Sequence, residues 1–547
     1  MPVVTLHWDE LERMVGADRK KILERLPMLG CDVERVFEDR IDVEFFPNRP
    51  DLYSVEGVAR ALRGFLDIEF GYPDYSINAG NWKIYVDEKV REVRPRIVGC
   101  VVKSINVDED ILRSIIQIQE DLHWTIGRNR RKMAIGIHDI EKVHFPLKYT
   151  AVESDFSFIP LDFKEEMTVA EILERHPKGM EYRFILENSE LYPMIIDARN
   201  EVISFPPVIN AEKTRVKEGT GGLFIDVTGF DENVDRALRI LTAMFLDRDG
   251  VVESVEVIYP EITEITPSMS PEKVKVQKSE IFSLLGFEIG DDEIRLALGR
   301  MRYGFDFRDH EIEVLVPPYR ADIMHPWDII EDIAIGYGYD RIPVNYPPTP
   351  GIGREHEWNR WRDVVKEIML GLGFTEVITF TLTNERVMYA YMNRKAEEWV
   401  DYTPLMHPLT EEHTVVRTDI LPKLIELLKY NKHEAMPQMI FEVGDVVSGT
   451  KNNLRLGACI THARASFSEI RSYVQAVMHE LGLEWDVRNS DNGIFIRGRG
   501  AEITVNGKKA GIFGEINPEV LERFEITMPV SGFELNLSVL FDLGLVI

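Results

Sequence analysis

The sequence predicts an α+β protein of several domains, on three observations. Its 547 residues exceed what one core organises, about 150 residues being usual for a domain. Stretches with the two-residue alternation of strands and stretches with helical spacing are mixed along the whole chain. Thus Leu223, Ile225 and Val227 alternate with Phe224, Asp226 and Thr228, while Ile329, Ile330, Ile333, Ala334 and Tyr337 repeat with helical spacing. Glycine and proline punctuate the chain, at Gly71-Tyr72-Pro73 and Gly80-Asn81 for example. The expected modules are residues 1–87, 88–262, 263–346 and 351–547.

Composition narrows the class. The hydrophobic fraction of 44% is that of an ordinary globular protein. No run of about 18 apolar residues occurs, and the opening MPVVTLHWDELERMVG carries Asp9, Glu10 and Glu12 where a signal peptide is basic and apolar. A soluble, cytoplasmic protein that touches no membrane is expected. Cys31, Cys100 and Cys459 lie far apart, with no CxxC or Cys/His spacing, so they read as buried thiols rather than a disulfide framework or zinc site. A net charge of −29 repels nucleic acid from the chain taken whole. Any RNA contact must use a local basic patch or be gripped by a second chain.

The first module begins with a helical pattern around Leu11, Met14, Ile22 and Leu23, a turn at Leu29-Gly30 and a strand over residues 41–46. PNRPDLYSVEGVARAL, residues 47–62, places a turn before a helix that Asp51 or Ser54 can cap. This reads as a rigid turn that docks the helix; the competing reading is a loop in which Asn48, Arg49 and Asp51 serve an active site.

The second module mixes a strand over 96–102 with helices over 111–122, 169–175 and 232–247. Arg128, Arg130, Arg131 and Lys132 form the densest basic cluster, either a solvated loop or a contact to RNA phosphates. In ISFPPVINAEKTRVKEGTGGLFIDVTGFD, residues 203–231, Asp226 and Thr228 project from one side of a strand toward the glycine-rich loop 219–222. Ser204 and Asn210 flank Phe205-Pro206-Pro207 and are placed to complete a polar pocket. No Ser-His-Asp or Cys-His arrangement is evident, so hydrolysis here relies on positioned water. The competing reading is a strand whose aspartate caps its own turn.

In the third module a Leu-Gly turn separates two short helices, and a strand pair follows. The stretch VPPYRADIMHPWDIIEDIAIGYGYDRIP, residues 316–343, then has Pro317 and Pro318 stop the strand and Pro326 open a helix. On that helix Asp328, Glu331 and Asp332 share a face, with Asp322 just upstream. Helix-dipole compensation accounts for acids in a first turn. The alternative is a hard divalent cation, magnesium or calcium, which suits an all-oxygen set.

The last module opens with a helix over 358–372 followed by GFTEVITFTL. MHPLTEEHTVVRTDILPKLIELLKYNKH and MIFEVGDVV come next, and the strand GFELNL lies near the end. ATP activation needs arginines poised on phosphates. No arginine follows Arg523, and Arg417 reads as a packing or cap residue.

The run PPYRADIMHPWDIIEDIAIGYGYDRIP closely resembles the signature of phenylalanyl-tRNA synthetase beta subunits of the archaeal and eukaryotic form. NRPDLxSxxGxAR resembles the N-terminal module of the same family. The resemblance implies an N-terminal module, an α/β editing domain, a winged-helix-like metal module and a degenerate class II synthetase catalytic-like domain built as an antiparallel sheet with helices. It implies Mg2+ on Asp322, Asp328, Glu331 and Asp332, shared with an alpha subunit, in a complex of two alpha and two beta chains. ATP and phenylalanine are then bound by alpha, and the complex charges the phenylalanine tRNA. By position Ser204, Asn210, Asp226 and Thr228 match polar editing residues that hydrolyse mischarged Tyr-tRNA, Ser204 being the least secure match. Asp226 or its neighbours are expected to accept the phenolic hydroxyl, while Thr228 and Asn210 hold the ester and water. Such a second sieve is needed because a pocket for phenylalanine rejects an added hydroxyl by only about 10². Neither the anticodon-binding extension nor the inserted oligonucleotide-binding domain of bacterial relatives is expected. The rival readings are a free-standing trans-editing deacylase and a non-catalytic scaffold subunit.

Overall fold

The computed structural model describes residues 1–187, 189–346, 351–394 and 402–543. Two compact units emerge, Met1–Tyr346 and Pro347–Ile547. Both are mixed α and β, and no helix among the described residues is long and apolar enough to cross a membrane.

The first unit begins with a three-stranded sheet in the order Val3–His7, Arg40–Phe45, Cys31–Val36. The helices Trp8–Val15, Arg19–Arg25 and Val55–Phe65 accompany it. Its first strand escapes the sequence reading, which sees only the helical spacing that follows. Ser54, not Asp51, caps Val55–Phe65, accepting from the Gly57 amide at 3.3 Å. Asp51 is instead buried against Arg49, at 2.8 and 2.9 Å, and against Arg60. The Pro-Asn-Arg-Pro turn is thus a rigid ion-paired brace. A Cβ on Gly57 would lie 1.7 Å from the Asp51 carbonyl oxygen, so the helix can approach the turn only through glycine.

A ten-stranded sheet follows. Its order runs Ile209–Asn210, Val202–Phe205, Tyr192–Ile196, Leu147–Val152, Asn78–Val86, Val251–Ile258, Arg96–Lys103, Leu223–Gly229, Met133–Asp139, with Thr263–Thr266 paired to Val251–Ile258. Asn78–Val86 and Thr263–Thr266, which the expected divisions at 87/88 and 262/263 assign to flanking modules, hydrogen-bond into this sheet. Helices Glu109–Trp124 and Asn233–Leu246 share a core with Val98, Cys100, Ile225 and Val227. Phe224, Ile97, Val101 and Tyr149 belong to a separate core, as strand alternation requires.

The end of the unit is a three-stranded sheet with Glu311–Val316 between Glu272–Gln277 and Gly304–Phe307. It packs with helices Lys278–Leu285, Asp291–Arg300 and Pro326–Tyr337. The strand pair expected from sequence gains a third member, Glu272–Gln277, whose lysines mask a strand that buries Val276.

The second unit is a seven-stranded sheet, antiparallel except for the short strand Thr375–Glu376, which runs parallel to Gln438–Ser448. Glu357–Gly371, Phe467–Glu480 and Leu537–Asp542 join one core; Leu421–Tyr430 and Pro518–Arg523 join another. GFTEVITFTL yields only brief strands at Thr375–Glu376 and Leu382–Thr383, and leaves Ile378 and Phe380 exposed.

Candidate functional site

The two terminal strands of the ten-stranded sheet, Met133–Asp139 and Ile209–Asn210, border one cavity of about 370 Å3. Helix Glu109–Trp124 supplies Ile115, Gln119 and Glu120 to its wall. Ser204, Asn210, Asp226 and Thr228 all line it. They arrive from two directions: Ser204 and Asn210 are cross-strand neighbours around the cis Pro206-Pro207 turn, and Asp226 and Thr228 stand two apart on Leu223–Gly229. Residues so spaced sit about 6.7 Å apart, comparable to the length of a tyrosine side chain. The glycine-rich loop 219–222 does not line the cavity. It lies at the other end of that strand, with Gly222 packed against Ile140 and Val102.

All but one of the polar atoms of these four side chains have a defined partner. The Ser204 hydroxyl donates to Asn210 Oδ1 at 3.0 Å, and Asn210 Nδ2 donates to the Ile137 carbonyl at 3.5 Å, across the gap between the sheet's ends. Thr228 Oγ1 accepts from Arg94 Nε at 3.0 Å, and the Thr228 carbonyl accepts from Arg94 Nη2 at 2.8 Å. With its oxygen thus engaged by a cation, the threonine hydroxyl keeps its proton to donate. Burial lowers the Arg94 pKa to about 10, so the guanidinium remains charged at neutral pH. Asp226 Oδ2 is 2.9 Å from His138 Nε2, and His138 Nδ1 is 2.8 Å from Thr214 Oγ1. Among the described residues Asp226 Oδ1 has no hydrogen-bond partner.

Three side chains that contact the candidate residues escape sequence reasoning: Arg94, His138 and Thr214. The chain Thr214–His138–Asp226 is a hydroxyl–imidazole–carboxylate series, an arrangement the sequence gives no sign of because its members are far apart. One signal was available, in MAIGIHD, where a histidine and a glycine interrupt an otherwise apolar strand.

The basic cluster divides. Arg130 is buried and pairs with Glu120 at 2.8 Å, donates to the carbonyls of Pro207 and Val208, and lies 4.3 Å over the Tyr182 ring. It braces the proline turn and is not free for phosphate. Lys132 is 3.6 Å from Asp231, while Arg128 and Arg131 are exposed.

The four acids expected to hold a cation do not bring three ligand atoms within 4.8 Å of one another. The buried Arg320 guanidinium lies 2.6 Å from both Asp322 and Asp332, and the Tyr303 hydroxyl donates to Asp332. Asp328 accepts from the amides of Met324 and His325, at 2.8 and 2.7 Å. Burial and the carboxylates of Asp332, Asp328 and Asp322 push the Glu331 pKa above its usual value, so the four do share one electrostatic neighbourhood. In this chain alone they do not fit a chelated cation. Among the described residues, His144, Asp197 and Glu201 do converge, but Lys213 Nζ already pairs with both acids.

In the second unit the buried Arg417 pairs with Glu442 at 2.7 Å, and the half-buried Arg394 and Arg455 pair with Asp419 at 2.5 Å and with Asp419 and Glu534, both at 2.7 Å, respectively. Each cation is consumed by an internal partner, in keeping with the packing role expected of Arg417.

Comparison with known proteins places these features. The family model of the phenylalanyl tRNA synthetase beta chain CLM domain matches residues 342–537, and that of the tRNA synthetase B5 domain matches 274–339. The phenylalanine–tRNA ligase beta subunit of Archaeoglobus fulgidus is 65% identical over 544 residues, covering 100% of each chain. The chain belongs to the family of phenylalanine–tRNA ligase beta subunits. Its counterpart in Methanothrix thermoacetophila is 51% identical over 542 residues, 98% of this chain and 100% of that protein. A crystal structure of an N-terminal fragment of the phenylalanyl-tRNA synthetase beta subunit from Pyrococcus horikoshii superposes with a TM-score of 0.60 at 39% identity, covering 62% of this chain and 100% of the fragment. Within the family frame, the B5 match takes in the acidic helix Pro326–Tyr337, and the CLM match spans most of the second unit.

Proposed function

We propose that the chain is the beta subunit of a cytoplasmic phenylalanine–tRNA ligase. Together with an alpha subunit it supports ATP-dependent charging of the phenylalanine tRNA, in a complex of two alpha and two beta chains, and it removes tyrosine from mischarged tRNA in the cavity around Asp226. The observation that carries the editing reading is the pairing, on one strand face, of a carboxylate with an unengaged oxygen and a hydroxyl with a proton to give. Asp226 Oδ1 accepts the phenolic hydroxyl, and Thr228 donates to the carbonyl oxygen of the ester as water adds to its carbon and the ribose oxygen leaves as a hydroxyl, taking up the proton that the water gives up. Ser204 and Asn210 form the facing polar wall. A phenylalanyl ester leaves Oδ1 unpaired, so the correct product binds less well.

ATP activation is assigned to the alpha chain, because Arg394, Arg417 and Arg455 are all held in internal ion pairs. The magnesium ion implied by the family is assigned to the boundary with alpha, which must provide donors that Asp322, Asp328, Glu331 and Asp332 do not assemble by themselves.

Deacylation of Tyr-tRNA by the assembled enzyme tests the reading. Asp226→Ala and Thr228→Ala should each slow it by about 10- to 100-fold, the worth of a hydrogen bond involving a charged group. Unchanged rates in both variants would place editing elsewhere.

A further inference from the structure

The carboxylate at the centre of the cavity is held from behind. His138 is fully buried on Met133–Asp139, where it sits opposite Phe224 while Gly136 sits opposite Asp226. A carboxylate can only accept, so the imidazole proton resides on Nε2 and is donated to Asp226 Oδ2 at 2.9 Å. Nδ1 then accepts from the Thr214 hydroxyl at 2.8 Å, a shorter contact than the 3.3 and 3.5 Å from Thr214 Oγ1 to the carbonyls of Ala211 and Ile203. The ring is further fixed by stacking on Phe224, with centroids 5.8 Å apart and planes at 24°. Space for this arrangement depends on Gly136, where a Cβ would lie 2.2 Å from Asp226 Oδ2 and 2.8 Å from His138 Nε2.

We propose that His138, itself oriented by Thr214, is the positioning residue that gives the cavity its preference for a phenolic ring. By donating to Oδ2 it fixes the Asp226 carboxylate with Oδ1 toward the cavity, where a para-hydroxyl is accepted and a bare ring is not. This rests on the editing reading above and adds the group that enforces its selectivity. Thr214 acts through His138 and is not a nucleophile.

The assembled enzyme is assayed for deacylation of Tyr-tRNA and Phe-tRNA, with phenylalanine charging by the same preparation reporting that it is folded. His138→Phe should raise KM for Tyr-tRNA and shrink the tyrosine-over-phenylalanine preference by about tenfold or more, with a smaller change in kcat. His138→Gln, which keeps a donor near the same place, should recover most of the preference, and Thr214→Val should lose a few-fold of it. If His138→Phe does not fold, Gly136→Ala decides, since its Cβ crowds both Asp226 Oδ2 and His138 Nε2 and breaks the contact between them, and should lower the preference similarly. Asp226→Asn separates the two levels. Unchanged Tyr-tRNA deacylation in that variant overturns the editing reading itself. A large loss there, with the preference intact in the His138 or Gly136 variants, overturns only the positioning role. Abolished kcat at unchanged KM in Thr214→Val overturns it in favour of a nucleophilic triad.

Discussion

At the scale of single residues, the chemistry proposed for the cavity depends on a cation that does not line it. Arg94 is buried, spends two nitrogens on Thr228, and has the Phe230 ring 5.4 Å away. Replacing it removes donors from both the hydroxyl and the carbonyl of Thr228, the second of which is then buried with one bond fewer. Arg94→Met should therefore cost about 1.5–3 kcal/mol of stability and slow Tyr-tRNA deacylation, and Arg94→Lys should restore part of both. Thermal melts and deacylation rates of the assembled enzyme check this; unchanged deacylation in Arg94→Met would show that Thr228 needs no orienting cation. Such a residue is illegible in sequence. In REVRPR, residues 91–96, nothing local says that the second arginine turns inward. Asp226 and Thr228 are legible because their common face follows from a period of two within one segment.

At the scale of elements, what is legible is what is local, and what is hidden is pairing. Val169–Arg175 falls where its spacing puts it, whereas Asn78–Val86 is separated by the expected boundary from a sheet whose other strands lie far along the chain. The edge strand Met133–Asp139 illustrates the hidden part. The outward backbone of its Ile135 is satisfied by side chains of helix Glu109–Trp124: the Ile135 amide donates to His123 Nε2 at 2.8 Å, and Gln119 Nε2 donates to the Ile135 carbonyl at 2.8 Å. His123 must be neutral to accept, and burial lowers its pKa to about 4. Between that value and the unfolded value of about 6.5 the unfolded chain binds a proton that the native chain does not, so stability rises with pH across this window. Stability present above about 6.5 is lost on acidification toward 4, by up to about 3 kcal/mol. Melting curves from pH 7 to pH 4.5 should show a steeper fall for the natural protein than for His123→Gln, whose amide oxygen accepts at any pH. Parallel pH profiles would mean that the imidazole does not anchor this edge.

At the scale of the whole molecule, charge and assembly are one problem. The net charge is −29, and buried arginines are committed inside: Arg130, which the sequence places in a candidate RNA-binding cluster, to Glu120, Arg320 to Asp322 and Asp332, Arg417 to Glu442. Few phosphates can be neutralised by what is left at the surface near the cavity, where Arg128 and Arg131 are exposed. Since affinity for RNA falls with salt in proportion to the phosphates neutralised, this chain alone should bind the phenylalanine tRNA weakly and with a shallow salt dependence. The complex recovered with an equal amount of alpha should bind tightly with a steep one. The same two preparations divide on magnesium: the isolated chain, whose Asp322 and Asp332 are both ion-paired to Arg320, should show no heat of binding on titration, and the complex should show saturable binding. A steep salt dependence or saturable magnesium binding by the isolated chain would mean that this subunit carries the RNA grip or the cation by itself. The division of labour with alpha would then have to be redrawn in favour of a chain that edits on its own.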